Sequence, residues 1–349
     1  MTASAMVPSE VLDSYWRFAA ERQAILFRRL AGEPGPWTND PILRAYRFTN
    51  AYRVADRVSQ YLIREVQQRA DRSQEPNEIF FRTILFKLFN RIDTWEALED
   101  SLGPLAWKTV DLVKAVSVLD ARQAAGTRNY SAAYIMPPPA LGHARKHRNH
   151  LALLERMMQD RLPDRLRQAP SLADVYDKLL RYPGLGPFLA FQYAIDLNYA
   201  DLLDFDENDF VVAGPGALDG IAKCFVSTGG RSPRTVIEWM VEHQDAEFDR
   251  LGLTFQRLGG RRLHLIDCQN LFCEISKYAR VAHPKIRGLL GRTQIKQTYR
   301  VDASPAEPIV LPRRWAAELT AAPLQALQGV SAEARRKAAT TLATIAAHA

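Results

Sequence analysis

Apolar residues recur three and four positions apart along almost the whole chain, and that spacing commits it to helices before any other property is weighed. Residues 9–31 read as a first helix, with Ser9 as its cap and Leu12, Trp16, Ala19, Ala20 and Phe27 near one face. The stretch 42–70 carries a helically spaced apolar stripe of Ala51, Val54, Ala55, Val58, Leu62 and Val66. Between 79 and 89 the sequence is apolar nearly all round, which predicts a central buried helix. Helical spacing returns at 150–161, 171–182, 187–198, 217–227, 233–248 and 263–280, whereas only 210–214 and 307–311 suggest extended segments. A proline-rich break at 134–149 marks a lobe boundary. The expected fold is therefore mainly α: an N-terminal lobe at 1–135, a second lobe at 136–300 whose helix 263–280 packs back on the first, and peripheral helices at 301–349.

With 349 residues the chain can bury a sizeable core. No apolar run approaches the ~20 residues of a membrane span, and the start of the chain lacks the basic and apolar regions of a signal peptide. Three irregularly spaced cysteines exclude a disulfide framework, so a cytoplasmic monomer is expected. The net charge of +7 includes the dense block "HARKHRNH" at 143–150. Such blocks favour a polyanion, and Arg145, Lys146 and Arg148 are candidate phosphate contacts. His143, His147 and His150 do not read as a metal site, because no carboxylate lies among them and Gly142 with its preceding prolines disfavours a helix there.

The stretch "RYPGLGPFLAFQYAIDLN" joins two helical patterns through Pro183-Gly184-Leu185-Gly186. Two glycines let backbone amides of the turn and of the following helix converge on an anion, so Gly184 and Gly186 are candidate DNA-phosphate contacts. The segment resembles the helix-hairpin-helix of the DNA glycosylase superfamily, in which an aspartate follows some twenty residues later. Asp206 lies twenty residues after Gly186, while Asp209, followed three residues later by Val212, fits the superfamily's local pattern. The resemblance implies a two-lobed helical DNA-glycosylase-like fold. It also implies a carboxylate that stabilises an oxocarbenium ion and positions water, with Asp209 the assignment and Asp206 its competitor. Phe188 stands where lyase members carry lysine, which implies the monofunctional type.

Longer blocks are similar to a narrower family: "NAYRVADRVSQYLI" (50–63), "FFRTILFKLFNRIDTWEAL" (80–98), "DFVVAGPGALDGIAKCF" (209–225) and "DCQNLFCEISKY" (267–278). They resemble the α-glutamyl/putrescinyl thymine pyrophosphorylases and the helical domain of hydroxymethyluracil DNA kinases, a group linked to phage DNA hypermodification that includes bacterial anti-phage DNA glycosylases. If 50–64 is helical, Asn50, Arg53, Arg57, Gln60 or Tyr61, and Arg64 share a face opposite the apolar stripe. Asp267, Asn270, Glu274 and Lys277 form a second polar ridge, with Gln269 beside it. Amide-rich ridges can read the edge of an extruded base, so Asn50, Arg53, Arg57, Gln60, Tyr61, Gln269, Asn270, Glu274 and Lys277 are the expected base pocket. Gly214 and Gly216 form another glycine turn before a helix, able to hold a DNA phosphate or a diphosphate leaving group.

These readings together predict a DNA glycosylase that flips a hydroxymethylated or glucosylated pyrimidine from phage DNA and hydrolyses its N-glycosidic bond, in anti-phage defence. Hydrolysis of that kind calls for no cofactor. The competing readings are a transferase that replaces diphosphate on a 5-hydroxymethyl pyrimidine in DNA with an amine, and a non-catalytic reader of modified DNA.

Overall fold

The computed structural model describes residues 4–132, 136–301 and 306–315. In chain order its elements are β1 (Val7–Pro8), α1 (Glu10–Leu30), α2 (Pro41–Ala45), α3 (Arg57–Tyr61), α4 (Pro76–Phe89), α5 (Ile92–Leu102), α6 (Leu112–Ala124), α7 (Lys146–Gln159), α8 (Leu162–Arg167), α9 (Leu172–Leu180), α10 (Pro187–Asn198), α11 (Pro215–Cys224), β2 (Phe225–Ser227), α12 (Pro233–Arg250) and α13 (Leu265–Ala282). The protein is mainly α, as the spacing requires. Among the described residues no helix is long and apolar enough to cross a membrane.

Two compact units divide the chain. One gathers the described residues up to Asp56, those of Phe210–Leu311, and Trp315; the other holds Arg57–Asp209 and Pro312–Arg314.

In the first unit Ser9 caps α1 by accepting the Val11 amide, and its hydroxyl donates to the Lys223 carbonyl. Trp16, fully buried, meets the rings of Tyr15 and Phe248 edge-on at 4.8 and 5.1 Å. Helix α11 lies so close to α13 that a Cβ on Gly220 would stand 2.0 Å from the Phe272 carbonyl oxygen. Gly216, one turn earlier on the same face, is set against Cys273 Sγ. At Gly220 only glycine permits that approach. The two expected extended segments are not strands. Residues 210–214 run straight into Gly214, the N-cap of α11. Residues 307–311 are irregular, and the short β1–β2 ladder is an antiparallel pair of this unit.

In the second unit α4 is buried along nearly its whole circumference, from Glu78 to Phe89. Its Lys87 ammonium lies 3.1 Å from the Asp196 carboxylate, both almost fully enclosed, and donates to Asn90 Oδ1 at 2.8 Å. The helical spacing over 42–70 does not produce a continuous helix. Residues 46–52 are non-helical, Arg53–Ala55 form one 3-10 turn, and Asp56 is extended (φ −70°, ψ 143°). Only at Arg57 does α3 begin, passing into a π-helical stretch, Leu62–Gln67. The break follows from Asp56 itself: its carboxylate accepts the Asn50 amide at 2.7 Å, closing a loop instead of leaving a helical turn to continue. The helices expected across 316–349 lie outside the described residues.

Candidate functional site

The first unit contains a polar cluster where residues 48–56 pass between α1 and α13. Thr49 is held three ways: its amide donates to Glu274 Oε2 at 3.0 Å, its carbonyl accepts Arg22 Nε at 2.8 Å, and its hydroxyl accepts Asn270 Nδ2 at 3.1 Å. Asn50 accepts from Arg22 Nη2 at 2.8 Å and donates to the Ala55 carbonyl at 2.7 Å. Lys277 pairs with Glu274 at 2.7 Å, one turn along α13, and its ammonium sits 5.3 Å from the centre of the Phe48 ring. Asn270, Glu274 and Lys277 do follow one another along α13, and the first two reach Thr49, the neighbour of Asn50. Both amides, however, are engaged by the protein, and Gln269 is buried with its own donor on Cys273 Sγ at 3.6 Å.

Three members of this cluster escaped the sequence reading: Arg22, Thr49 and Asp56. Asp56 is the most informative. Only half-buried by area but densely enclosed, its carboxyl is pushed up to about 7 by burial and raised further by Glu274; the Asn50 amide, Arg53 and Arg22 act against the shift. A carboxyl titrating near neutrality can accept or return a proton at physiological pH, the property expected of a general base. Burial likewise lowers the Arg22 guanidinium. Asp267, by contrast, is an anchor: its two oxygens accept the Arg53 amide at 2.8 Å and the His264 amide at 3.0 Å, tying residue 53 to the N-terminus of α13. Burial pushes its carboxyl up to about 6 against those two amides.

The remaining expected site residues are dispersed. Arg57, Gln60, Tyr61 and Arg64 belong to the second unit, past the break at Asp56, so they do not extend a helix face begun by Asn50 and Arg53. Arg53 itself is buried, and Tyr61 stacks on Phe86 at 5.6 Å with its hydroxyl 3.4 Å from Glu96. Asp206 and Asp209 are exposed in a short turn in which Asp206 accepts the Asn208 amide at 2.9 Å. Neither lines the cavity of about 520 Å³ that this unit forms from Arg167, Asp201, Asp204, Phe205 and Arg314.

Gly184 and the basic block have partners within the second unit. Gly184 has φ +85° and a Cβ there would stand 3.3 Å from the Pro137 carbonyl oxygen, so the turn between α9 and α10 is seated on the proline stretch. Gly186 and Gly214 are both N-caps in extended conformation, each followed by proline. In the block 143–150, Arg148 and Arg145 reach Asp120 at 2.7 and 3.6 Å, and Lys146 sits over the Tyr130 ring at 4.1 Å. His147 is 2.9 Å from the same Asp120. His150 is enclosed between Tyr130 and the Pro137 carbonyl, where burial drives its imidazole down to about 4. Asp120, outside the block, thus pairs with two of the three cations expected to contact phosphate. Among the described residues no group of three His, Cys, Asp or Glu side chains is placed to hold a metal ion.

A family model described as "5-hmdU DNA kinase, helical domain" matches residues 9–288. The chain belongs to that family. Its span takes in the cluster at 48–56 and α13 and most of both units. A 5-hmdU DNA kinase of Bacillus phage SP10 is 28% identical over 286 residues, covering 76% of this chain and 44% of the relative. The chain therefore spans less than half the length of that family member. No solved structure matches. The relative is named as a kinase, a transferase, which overturns the glycosylase reading and the hydrolase class with it. The role given to Asp206 and Asp209 in oxocarbenium stabilisation lapses with that chemistry.

Proposed function

We propose that this chain engages a 5-hydroxymethyl pyrimidine in DNA and serves group transfer at its hydroxymethyl oxygen. The observation that carries the reading is Asp56, a carboxyl held near neutrality inside a family-matched polar cluster. In a transfer to the hydroxymethyl group, the acceptor oxygen forms its new bond as its proton passes to Asp56, while the bond to the donor's leaving group breaks on the donor side. Arg22, Thr49 and the Glu274–Lys277 pair hold the loop that carries Asp56, so the base is fixed before substrate arrives.

A kinase reaction also calls for a nucleotide donor and its metal ion, and the residues described do not fit one. No glycine in the chain is followed by lysine, so the Gly-x-x-x-x-Gly-Lys-Ser/Thr phosphate loop is absent from the sequence. No donor step is assigned to this chain. The relative's name and the shared span support the transferase class over the reader.

The test compares binding to oligonucleotides that differ only in 5-hydroxymethyluracil or thymine at one position. A site built to hydrogen-bond the hydroxyl should favour the hydroxymethyl base by at least about tenfold, and Asp56→Asn should erase most of that preference. Equal affinity for the two oligonucleotides would refute the reading. Alkaline treatment of either product should leave the strand intact.

A further inference from the structure

From Ile275 to Val301 the sequence contains seven Lys and Arg and not one Asp or Glu, as many positive charges as the net charge of the whole chain. After α13 this stretch is irregular, and Lys285, Arg287, Arg292, Lys296 and Arg300 are all exposed. None of the five makes an ion pair among the described residues, in contrast to Arg145 and Arg148 on Asp120. Among the described residues, three acids near the segment have other partners: Glu10 faces His283 at 3.2 Å, Asp40 accepts the Tyr278 hydroxyl at 2.7 Å, and Glu274 holds Lys277.

An exposed basic segment is usually loose, but this one is pinned at both ends. Asp219, buried on α11, accepts the Leu290 amide at 2.7 Å while also binding Lys223 at 3.0 Å. Gly288 passes so near that a Cβ would lie 2.3 Å from Asp219 Oδ1. Further on, the Arg280 guanidinium donates to the Gln294 carbonyl at 3.0 Å. The Arg47 amide donates to Gln297 and the Tyr299 amide to Ala45, at 3.0 and 2.9 Å, so 45–47 and 297–299 run side by side. That pairing adds the exposed Arg44 and Arg47 to the same surface.

We propose that residues 285–300 form a preorganised strap that grips the DNA phosphate backbone. The inference rests on the function proposed above only in taking DNA as the polyanion. Three features favour a phosphate chain as the occupant: the excess of arginine, whose fork matches phosphate oxygens, the absence of any acid, and a backbone fixed in advance so that little ordering cost accompanies binding.

The experiment measures the affinity of the full chain for duplex DNA, by anisotropy, across a series of salt concentrations. The variants are a fivefold Gln substitution of Lys285, Arg287, Arg292, Lys296 and Arg300, a threefold Gln substitution of Arg145, Lys146 and Arg148, and Gly288→Ala. Each lost phosphate contact removes about 0.9 from the slope of log affinity against log salt. The fivefold variant should lose about 3 to 4.5 in slope and at least about a hundredfold in affinity, with an unchanged melting temperature because its side chains are exposed. The threefold variant should lose clearly less slope, since Asp120 already pairs with two of its three cations. Gly288→Ala, which keeps every charge but pushes against Asp219, should weaken binding while the chain stays folded. A fivefold variant with the wild-type slope overturns the strap, whatever the preference for modified bases. A chain that binds with a strap-dependent slope but without preference for 5-hydroxymethyluracil overturns the function proposed above and leaves the strap standing. A wild-type chain that binds no DNA overturns both.

Discussion

Asp56→Asn should remove a pH dependence from the stability of the protein. The amide retains an oxygen for the Asn50 N–H, so the loop stays closed, but it no longer titrates. In the folded chain the carboxyl titrates at about 7, against about 3.9 for a free aspartate. The folded state therefore holds this proton more tightly than the unfolded state. Its contribution is complete below about pH 4 and is lost as pH rises through the folded value of about 7. Three units at about 1.4 kcal/mol each set a ceiling of about 4 kcal/mol. Because the group is partly exposed, solvent screening should reduce the realised difference to about 1–2 kcal/mol. Urea unfolding of both proteins at pH 5, 6, 7 and 8 reads it out. Asp267 titrates in the same range and remains in both, so the difference between the two curves isolates Asp56. The variant should gain on the wild type steadily from pH 5 to 7 and hold that gain at pH 8. Parallel curves would refute the assignment of a raised carboxyl at this position.

Other substitutions test the packing. Gly220→Ala should cost at least about 3 kcal/mol, as overpacking at a rigid contact does, because its new methyl would meet the Phe272 carbonyl at 2.0 Å; a melting temperature within a few degrees of wild type would contradict that close approach. Lys87→Met should cost about 3–5 kcal/mol by stranding the buried Asp196 charge, and Lys87→Met with Asp196→Leu should recover most of it, both read from urea midpoints. Gly184→Ala should destabilise by about 1–2 kcal/mol at its positive φ, whereas Gly186→Ala, in extended backbone with open space around it, should stay within about 1 kcal/mol of wild type.

The helices that bury a continuous stripe were legible in the sequence. Ser9 before Val11 and Leu12 marks the start of α1, and the unbroken apolar run at 79–89 marks α4. Legible too was the ridge of Asn270, Glu274 and Lys277, since residues one turn apart on a helix must share a face. What was hidden depends on partners distant in the chain. Nothing in "NAYRVADRVSQYLI" says that Asp56 turns back on Asn50 and ends the helical pattern, because the apolar spacing continues undisturbed across it. The block at 143–150 reads as a phosphate contact because its charges are dense, yet Asp120, which pairs with two of its arginines, stands outside the block. The strap at 285–300 has neither periodicity nor density. Its signal is the acid missing over a long interval, and its order comes from Asp219, some seventy residues before it.

The first unit is assembled from segments that leave the ribosome far apart in time. Helix α1 buries Tyr15, Trp16 and Ala19 in a layer that includes α11 and α13, yet 234 residues separate Leu30 from Leu265. At ~5–20 residues per second of synthesis, that interval is on the order of ten to fifty seconds. Throughout it the aromatic face of α1 waits without its partner, while the intervening run Arg57–Asp209 can already close on itself. A nascent chain of this design carries a sticky helix without its partner throughout the synthesis of those 234 residues. Its yield in a cell should therefore depend on whatever shields that helix, and should fall when synthesis stalls between the two units.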